Sequence, residues 1–259
     1  MSLGNNPAII YPNNWSFGFK RKIQLETIKH IFFFFIIIAK LFSQQYTIEI
    51  LGLHAADVSQ IKTADSGSII FETQNRGIFD LIWPTKNIYQ TKYVPDQYTV
   101  KSWSKSIEQG DYAFSVSAKK DTNSYFIYDY GIEVNVPKPI YNVFSLLAMI
   151  QSKHRESLDS RWFNLEHEGS IGRARFIWAD SSHIWNGKDS VMCDHYRFDI
   201  VITDSTKRIN KTSDYFMQYI VNPKFVRELW VSKKDNNIII AARLNTPWIS
   251  LDARVNLLQ

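Results

Sequence analysis

The sequence predicts a mainly β fold: a single antiparallel, strongly curved sheet or open half-barrel, with one amphipathic helix packed on its concave face. Apolar residues alternate with polar ones over many short stretches, and turn residues separate those stretches. One segment departs from this rhythm and places its apolar residues at helical spacing.

The alternation begins with Tyr46, Ile48 and Ile50 set against Thr47 and Glu49. It recurs over residues 112–118, 125–136, 176–178, 196–202, 215–221, 228–232 and 238–244, each read as a half-buried antiparallel strand. Turn chemistry fills the gaps: Asp65-Ser66-Gly67, Glu108-Gln109-Gly110-Asp111, Asn186-Gly187-Lys188-Asp189 and the run from Lys233 to Asn237. The last of these reads as a hairpin joining Leu229 to Ile239. Over residues 139–153, Ile140, Val143, Phe144, Leu147 and Ile150 recur at spacings of three and four behind Pro139, a favoured first-turn residue. This predicts a helix with Phe144 and Leu147 facing inward and Gln151 outside.

Residues 20–45 carry the layout of an export signal. Lys20, Arg21, Lys22 and Lys29 lead into an apolar run from Ile31 to Ala39, and the small residue Ser43 marks a cleavage point. The run is shorter than the ~20 residues that cross a bilayer, which favours a cleaved signal over an anchor. The expected division is an upstream segment and export signal over residues 1–44, with the signal peptide at about 20–44, followed by a single β-rich domain over 45–259. The basic cluster lies far from Met1, and a translation start nearer Leu25 would place it normally.

The chain has 30 Lys and Arg against 25 Asp and Glu. Residues 1–44 hold five of those bases and one acid, leaving 25 against 24 in the mature part. A nearly neutral domain gives no electrostatic reason to bind nucleic acid or an anionic lipid surface. Cys193 is the chain's one cysteine, so no internal disulfide forms and no cysteine stands at the cleavage point to take a lipid. A domain of about 215 residues buries about 70% of its unfolded-state surface, enough for a core without staples.

At this point the residues carry a resemblance. The strand ending in Gly52-Leu53-His54-Ala55-Ala56, the segment Gly77-Ile78-Phe79-Asp80-Leu81-Ile82-Trp83-Pro84 with Asn87-Ile88-Tyr89, the helix around Asn142 to Leu147, and Glu228-Leu229-Trp230-Val231-Ser232 resemble an uncharacterised exported bacterial family, domain of unknown function 3108. The similarity runs over most of residues 45–259. It implies a β-rich fold in the periplasm of a Gram-negative bacterium, akin to the open barrels of lipoprotein-localisation factors. It supplies no catalytic residues.

A direct search for chemistry assigns no catalytic residue, metal site or cofactor. Cys193-Asp194-His195 with His183 contains good zinc ligands, but no second close pair completes four, and a buried Cys beside a strand His is the plainer reading. Glu166-His167-Glu168 sets two carboxylates on one face of an extended chain, as an acid/base pair requires, and a solvated strand edge looks the same. Gly169-Ser170-Ile171-Gly172 lacks the spacing of a nucleophile elbow. Asn210-Lys211-Thr212 matches a glycosylation acceptor, relevant only in a eukaryotic secretory route.

Aromatic residues make up 15% of the chain. They either fill the core of a large sheet or line a cavity for an apolar or lipid-like ligand, and the second reading selects Trp83, Trp103, Phe144 and Trp178 as its lining. Three functions follow: a periplasmic carrier or chaperone for such a ligand, which the helix and the aromatics favour; a structural module docking on an envelope protein; and a hydrolase, for which Glu166, His167, Glu168 and His195 are the residues to test.

Overall fold

The computed structural model describes residues 43–206, 209, 214–234 and 237–256. The basic and apolar runs of the expected signal and the Asn210-Lys211-Thr212 acceptor lie outside the described residues.

Alternation builds one antiparallel sheet of fourteen strands: β1 (Ser43–Ile50), β2 (Leu53–Thr63), β3 (Ser68–Asn75), β4 (Thr85–Tyr93), β5 (Val100–Gln109), β6 (Tyr112–Lys120), β7 (Tyr125–Tyr128), β8 (Glu133–Asn135), β9 (Trp162–His167), β10 (Ser170–Trp185), β11 (Ser190–Asp204), β12 (Val226–Ser232), β13 (Ile239–Asn245) and β14 (Ser250–Asn256). Three α-helices accompany it among the described residues: α1 (Gly77–Ile82), α2 (Val143–Ile150) and α3 (Tyr215–Val221). None of these helices is long and apolar enough to cross a membrane.

Sequential strands pair, as short connections favour. The described residues begin in the middle of the sheet at β1, step outward to β8 at one edge, cross through α2 to β9 at the other edge, and step back to β14, which pairs with β1. The two edge strands do not pair with each other, so the curved sheet stays unclosed by its own ladder. The segment after β8 bridges the gap instead. The Val100 amide donates to the Ile140 carbonyl at 3.0 Å, the Tyr141 amide to Asn164 at 3.0 Å, and the Glu166 amide to Tyr141 at 2.8 Å.

The tight turns use backbone shapes their residues permit. Gly67 has φ of +62°, and a Cβ there would lie 2.2 Å from the Tyr93 carbonyl oxygen, which closes the position to other residues. Glu168 and Gly169, both at positive φ, join β9 to β10 as a two-residue turn whose twist suits a hairpin.

The predicted helix is present but shorter than 139–153. Asn142 caps α2 by accepting from the Ser145 amide at 2.8 Å, the Ser145 hydroxyl accepts in return from the Asn142 amide, and the Asn142 side-chain amide donates to Thr91 on β4. Val143, Leu146, Ala148, Met149 and Ile150 are its buried residues in the core, while Phe144 and Leu147 are half-buried. The expectation that Gln151 faces outward is corrected. Gln151 is 2% exposed and exchanges hydrogen bonds with the fully buried Gln60 at 3.0 and 3.2 Å. An amide with a partner of equal capacity satisfies both its donor and its acceptor, which removes the usual penalty for burial.

Two further expectations change. Residues 125–136 form two short strands, β7 and β8, rather than one. Residues 215–221 are the helix α3 and not a strand, started by the Asp214 carboxylate, which accepts from the Met217 amide at 3.0 Å. Met217 and Val221, four residues apart, are its buried residues, and an alternating reading cannot tell that pair from a strand face.

Replacing Gln151 with Ala is expected to cost about 1–3 kcal/mol, because it strands the Gln60 amide in the core. Urea titration reads this as a lower midpoint, and an unchanged midpoint would contradict the buried pairing.

Candidate functional site

The inner face of the sheet has two walls of opposite character, and pairing register creates both. On one wall Tyr46 faces Val58 and Val255, Ile48 faces Ala56 and Ala253, and Ala253 faces Ala242. These are small or apolar residues. On the other wall Thr73 faces Asn87, and Thr85 faces Gln109. Between the walls, under α2, lies an apolar cavity of about 320 Å³, lined among others by Tyr46, Val58, Phe144, Leu147, Leu229 and Ala253. It continues into a cleft of about 500 Å³ beside Trp83, sharing Ile48, Ala56, Thr73, Asn75 and Phe216 with it. Phe79 of α1 lines the cavity, while Ile78, Leu81 and Ile82 of the same helix are exposed.

The four aromatic residues singled out in the sequence occupy different places. Phe144 lines the apolar cavity and packs against Phe71 and Tyr89, with ring centroids 5.3 and 5.1 Å away. Trp83 lines the cleft, 47% exposed, edge-on to Tyr215 at 5.7 Å. Trp103 is buried and donates its indole N–H to Glu166 at 2.9 Å. Trp178 donates to Asp194 at 3.1 Å and carries the Arg155 guanidinium over its ring at 4.6 Å, away from both concavities. Phe144 and Trp83 thus line two concavities that share wall residues, and Trp103 joins Phe144 around a smaller void of about 30 Å³. The residues that sequence reasoning did not single out are Asn75, Thr85, Asn87 and Gln109, which give the cleft its polar side. Their signal was available as polar residues on the buried parity of β3, β4 and β5.

The solvated-edge reading of Glu166-His167-Glu168 is overturned, since these residues are 1%, 9% and 5% exposed. Their strand partners lie 38 to 63 residues earlier in the chain. Glu166 accepts from Trp103, from the Tyr128 hydroxyl and from the Gly169 amide at 2.9 Å. Glu168 pairs with the buried Lys105, which also reaches Asp214 at 3.4 Å. Tyr89 completes the chain by donating to Asp214 at 3.1 Å. Burial pushes the Glu166 carboxyl up to about 7, against the pull of its three donors and with the help of the Glu168 charge. Burial, and then the Asp214 charge, hold the Tyr89 phenol well above its ordinary range. With every Glu166 oxygen engaged and room for about one or two waters in the void, this cluster is built to clasp β5 and β7 onto β9.

The remaining candidates have ordinary surroundings. Cys193 is buried, its Sγ contacts the Val191 carbonyl, and burial followed by the Asp194 charge pushes its thiol up to about 11. His195 stacks on Trp230 with ring centroids 4.5 Å apart and sits 3.2 Å from Glu228. His183 is exposed. Among the described residues no group of three or more His, Cys, Asp or Glu is placed to hold a metal ion.

The raised Glu166 group binds its proton more tightly in the folded chain than in the unfolded one, where a carboxyl titrates near 4.5. Its contribution to stability is therefore full below pH 4.5 and is lost as pH rises toward 7, a change of about 3 kcal/mol. The unfolding free energy should fall across that window in the parent chain and lose this slope in Glu166→Gln. Parallel pH profiles for the two proteins would contradict the assignment.

No protein-family model matches the chain, and no curated protein matches it. Among solved structures it is similar to a β-barrel-like protein of domain of unknown function DUF1849 from Brucella abortus, with a TM-score of 0.50 and 11% identity over 83% of this chain and 94% of that one. A DUF1089 family protein from Pseudomonas aeruginosa also matches, with a TM-score of 0.39 and 8% identity over 73% of this chain and 89% of that one. The first likeness agrees with the unclosed, curved sheet: the chain has a β-barrel-like fold.

Proposed function

We propose that the chain is an exported, periplasmic carrier or chaperone that shelters an apolar or lipid-like ligand in its half-barrel. The observation that carries this reading is the cavity of about 320 Å³ between the apolar wall and α2. Ligand pockets commonly hold about 300–1,000 Å³ and are lined mainly by apolar side chains with a few polar groups at fixed positions. Phe144, Leu147 and Phe216 are only half-buried here and leave the concavity unfilled, whereas the opposite half of the molecule is filled by its own side chains around Phe126, Val134 and Ile140. What supports export is the order of basic run, apolar run and small residue ahead of β1, together with the resemblance of residues 45–259 to an exported family.

Burial of about 200 Å² of a ligand's apolar surface contributes about 5 kcal/mol before the costs of association, which sets micromolar binding for small probes. Ala253 and Ala242 lie side by side on the apolar wall. Ala253→Trp is expected to fill the cavity and abolish the response of an environment-sensitive fluorescent fatty acid while leaving the far-ultraviolet circular dichroism unchanged; Ala242→Trp provides an independent copy of the test. Unchanged binding in two folded variants would end the carrier reading.

Intact mass of protein from a periplasmic fraction is expected to place the mature start at Gln44 or Gln45, at the beginning of β1. A product that keeps Phe32 to Ile38 and pellets with membranes would make that segment an anchor.

A further inference from the structure

We propose that the end of the half-barrel where α1 lies is a docking surface for a zwitterionic lipid bilayer, whose interface takes up the exposed apolar side chains around the cleft. The inference names the partner of the proposed carrier site and rests on that reading. Strand register assembles this end. Ile50 faces Leu53 and Leu251, Asn245 faces both Ser250 and Val226, and Ala56 faces Asn75. The β1–β2 turn, the β13–β14 turn, α1 after β3 and α3 ahead of β12 therefore all leave the sheet at the same end.

More than half of the exposed large apolar side chains among the described residues belong to these four connections. Leu51 and Leu53 carry the first turn, Leu81 and Ile82 belong to α1, Tyr219 to α3, and Trp248 to the last turn. Leu81 is 84% exposed and Trp248 89%. Apolar side chains scattered singly need no partner, but a group gathered at one end of a sheet marks a contact surface. α1 joins that surface to the concavities, since its Phe79 lines the apolar cavity while Leu81 and Ile82 face water. Trp83 and Tyr215, edge-on at 5.7 Å, line the cleft and are themselves about half exposed, so the cleft opens among these side chains.

Charge selects the bilayer over a protein partner. Residues 51–53, 77–84, 215–222 and 246–249 contain one charged side chain, that of Asp80. Behind them Arg76 is paired with Asp57 and Arg243 with Asp252, both at 2.6 Å. Protein partners are oriented by a polar rim and complementary charges, and these tips offer neither. Trp and Tyr favour the head-group level of a membrane, and uncharged apolar side chains favour the acyl boundary below it. A protein closed over these side chains would also seal the cleft, whereas a bilayer covers them and is itself a source of lipid-like ligand.

The test is flotation with phosphatidylcholine vesicles, using protein purified from the periplasmic fraction whose intact mass confirms loss of the apolar run ahead of β1. The parent protein is expected to float. Leu81→Asp and, on a separate element, Trp248→Ser should each weaken the partition roughly tenfold, the effect of withdrawing one large apolar side chain from burial. Both positions face water in the free protein, so neither change disturbs the core. Trp185→Ser, in the hairpin at the opposite end of the sheet, should float like the parent. A fluorescent fatty acid added without vesicles reads the cavity separately. Absence of partition with intact probe binding overturns the docking surface and leaves the carrier reading standing, and absence of both overturns both. Partition that needs phosphatidylglycerol and disappears in about 0.5 M salt assigns the attachment to charge, with Lys207, Arg208 and Lys211 ahead of α3 as its source, and overturns the proposal. A concentration-dependent dimer that Leu81→Asp dissociates, without partition, makes a second copy the occupant and overturns it too.

Discussion

The structure depends on how an unclosed sheet keeps its two edges together. β8 and β9 end the sheet without pairing, and a curved sheet with free edges can flatten or pair with another chain. Two devices prevent this. The Ile140–Tyr141 segment takes hydrogen bonds from the start of β5 and from β9, and the Glu166 and Glu168 carboxylates draw Trp103, Lys105 and Tyr128 across the interior. Side chains around Phe126, Val134 and Ile140 fill the sheet beside this clasp, and the cavity and cleft are lined by other residues.

Such a clasp is costly to bury and costly to break. Two carboxylates, Glu168 and Asp214, share one ammonium from Lys105, while the buried Glu166 is held by Trp103, Tyr128 and the Gly169 amide. The low-dielectric surroundings favour a proton on Glu166 and neutral phenols on Tyr89 and Tyr128, so part of the cluster works as neutral hydrogen bonds instead of bare charge. This explains why the same face of β4 and β5 that carries Lys105 also carries Asn87, Thr91 and Gln109: a polar wall gives the buried charges a graded environment. The opposite wall, from β1 and from β12 to β14, is mostly apolar around the cavity, and the buried Arg227 of β12 that also lines it donates to the Phe198, Asn222 and Phe225 carbonyls.

Much of this was legible in the sequence where short-range pattern decides structure. The alternation at Tyr46, the hairpin after Ser232 and the helical spacing around Phe144 and Leu147 appear as β1, the β12–β13 pair and α2. The misreadings of buried polar residues share one cause, partners distant in sequence. Glu166 and Glu168 look solvated until Trp103 and Lys105 are beside them, and Gln151 looks exposed until Gln60 faces it. Tyr215 to Val221 satisfies both periods at once, and the Asp214 cap decides for helix. The polar side of the cleft was written on the buried parity of three strands, but a single Asn or Gln in a strand carries no mark of the register that brings it opposite another.

The central place of β1 has a consequence for how the chain reaches this state. Tyr46 pairs with Val58 on one side and with Val255 on the other, so the first strand waits for the last before both its edges are satisfied. The meander from β1 to β8 can form by local pairing, but the apolar wall exists only after β14 arrives, and contacts between such distant parts of a chain form late and slowly. A chain emerging from its N-terminus therefore exposes one edge of β1 and the row of Tyr46 and Ile48 until its final residues are free.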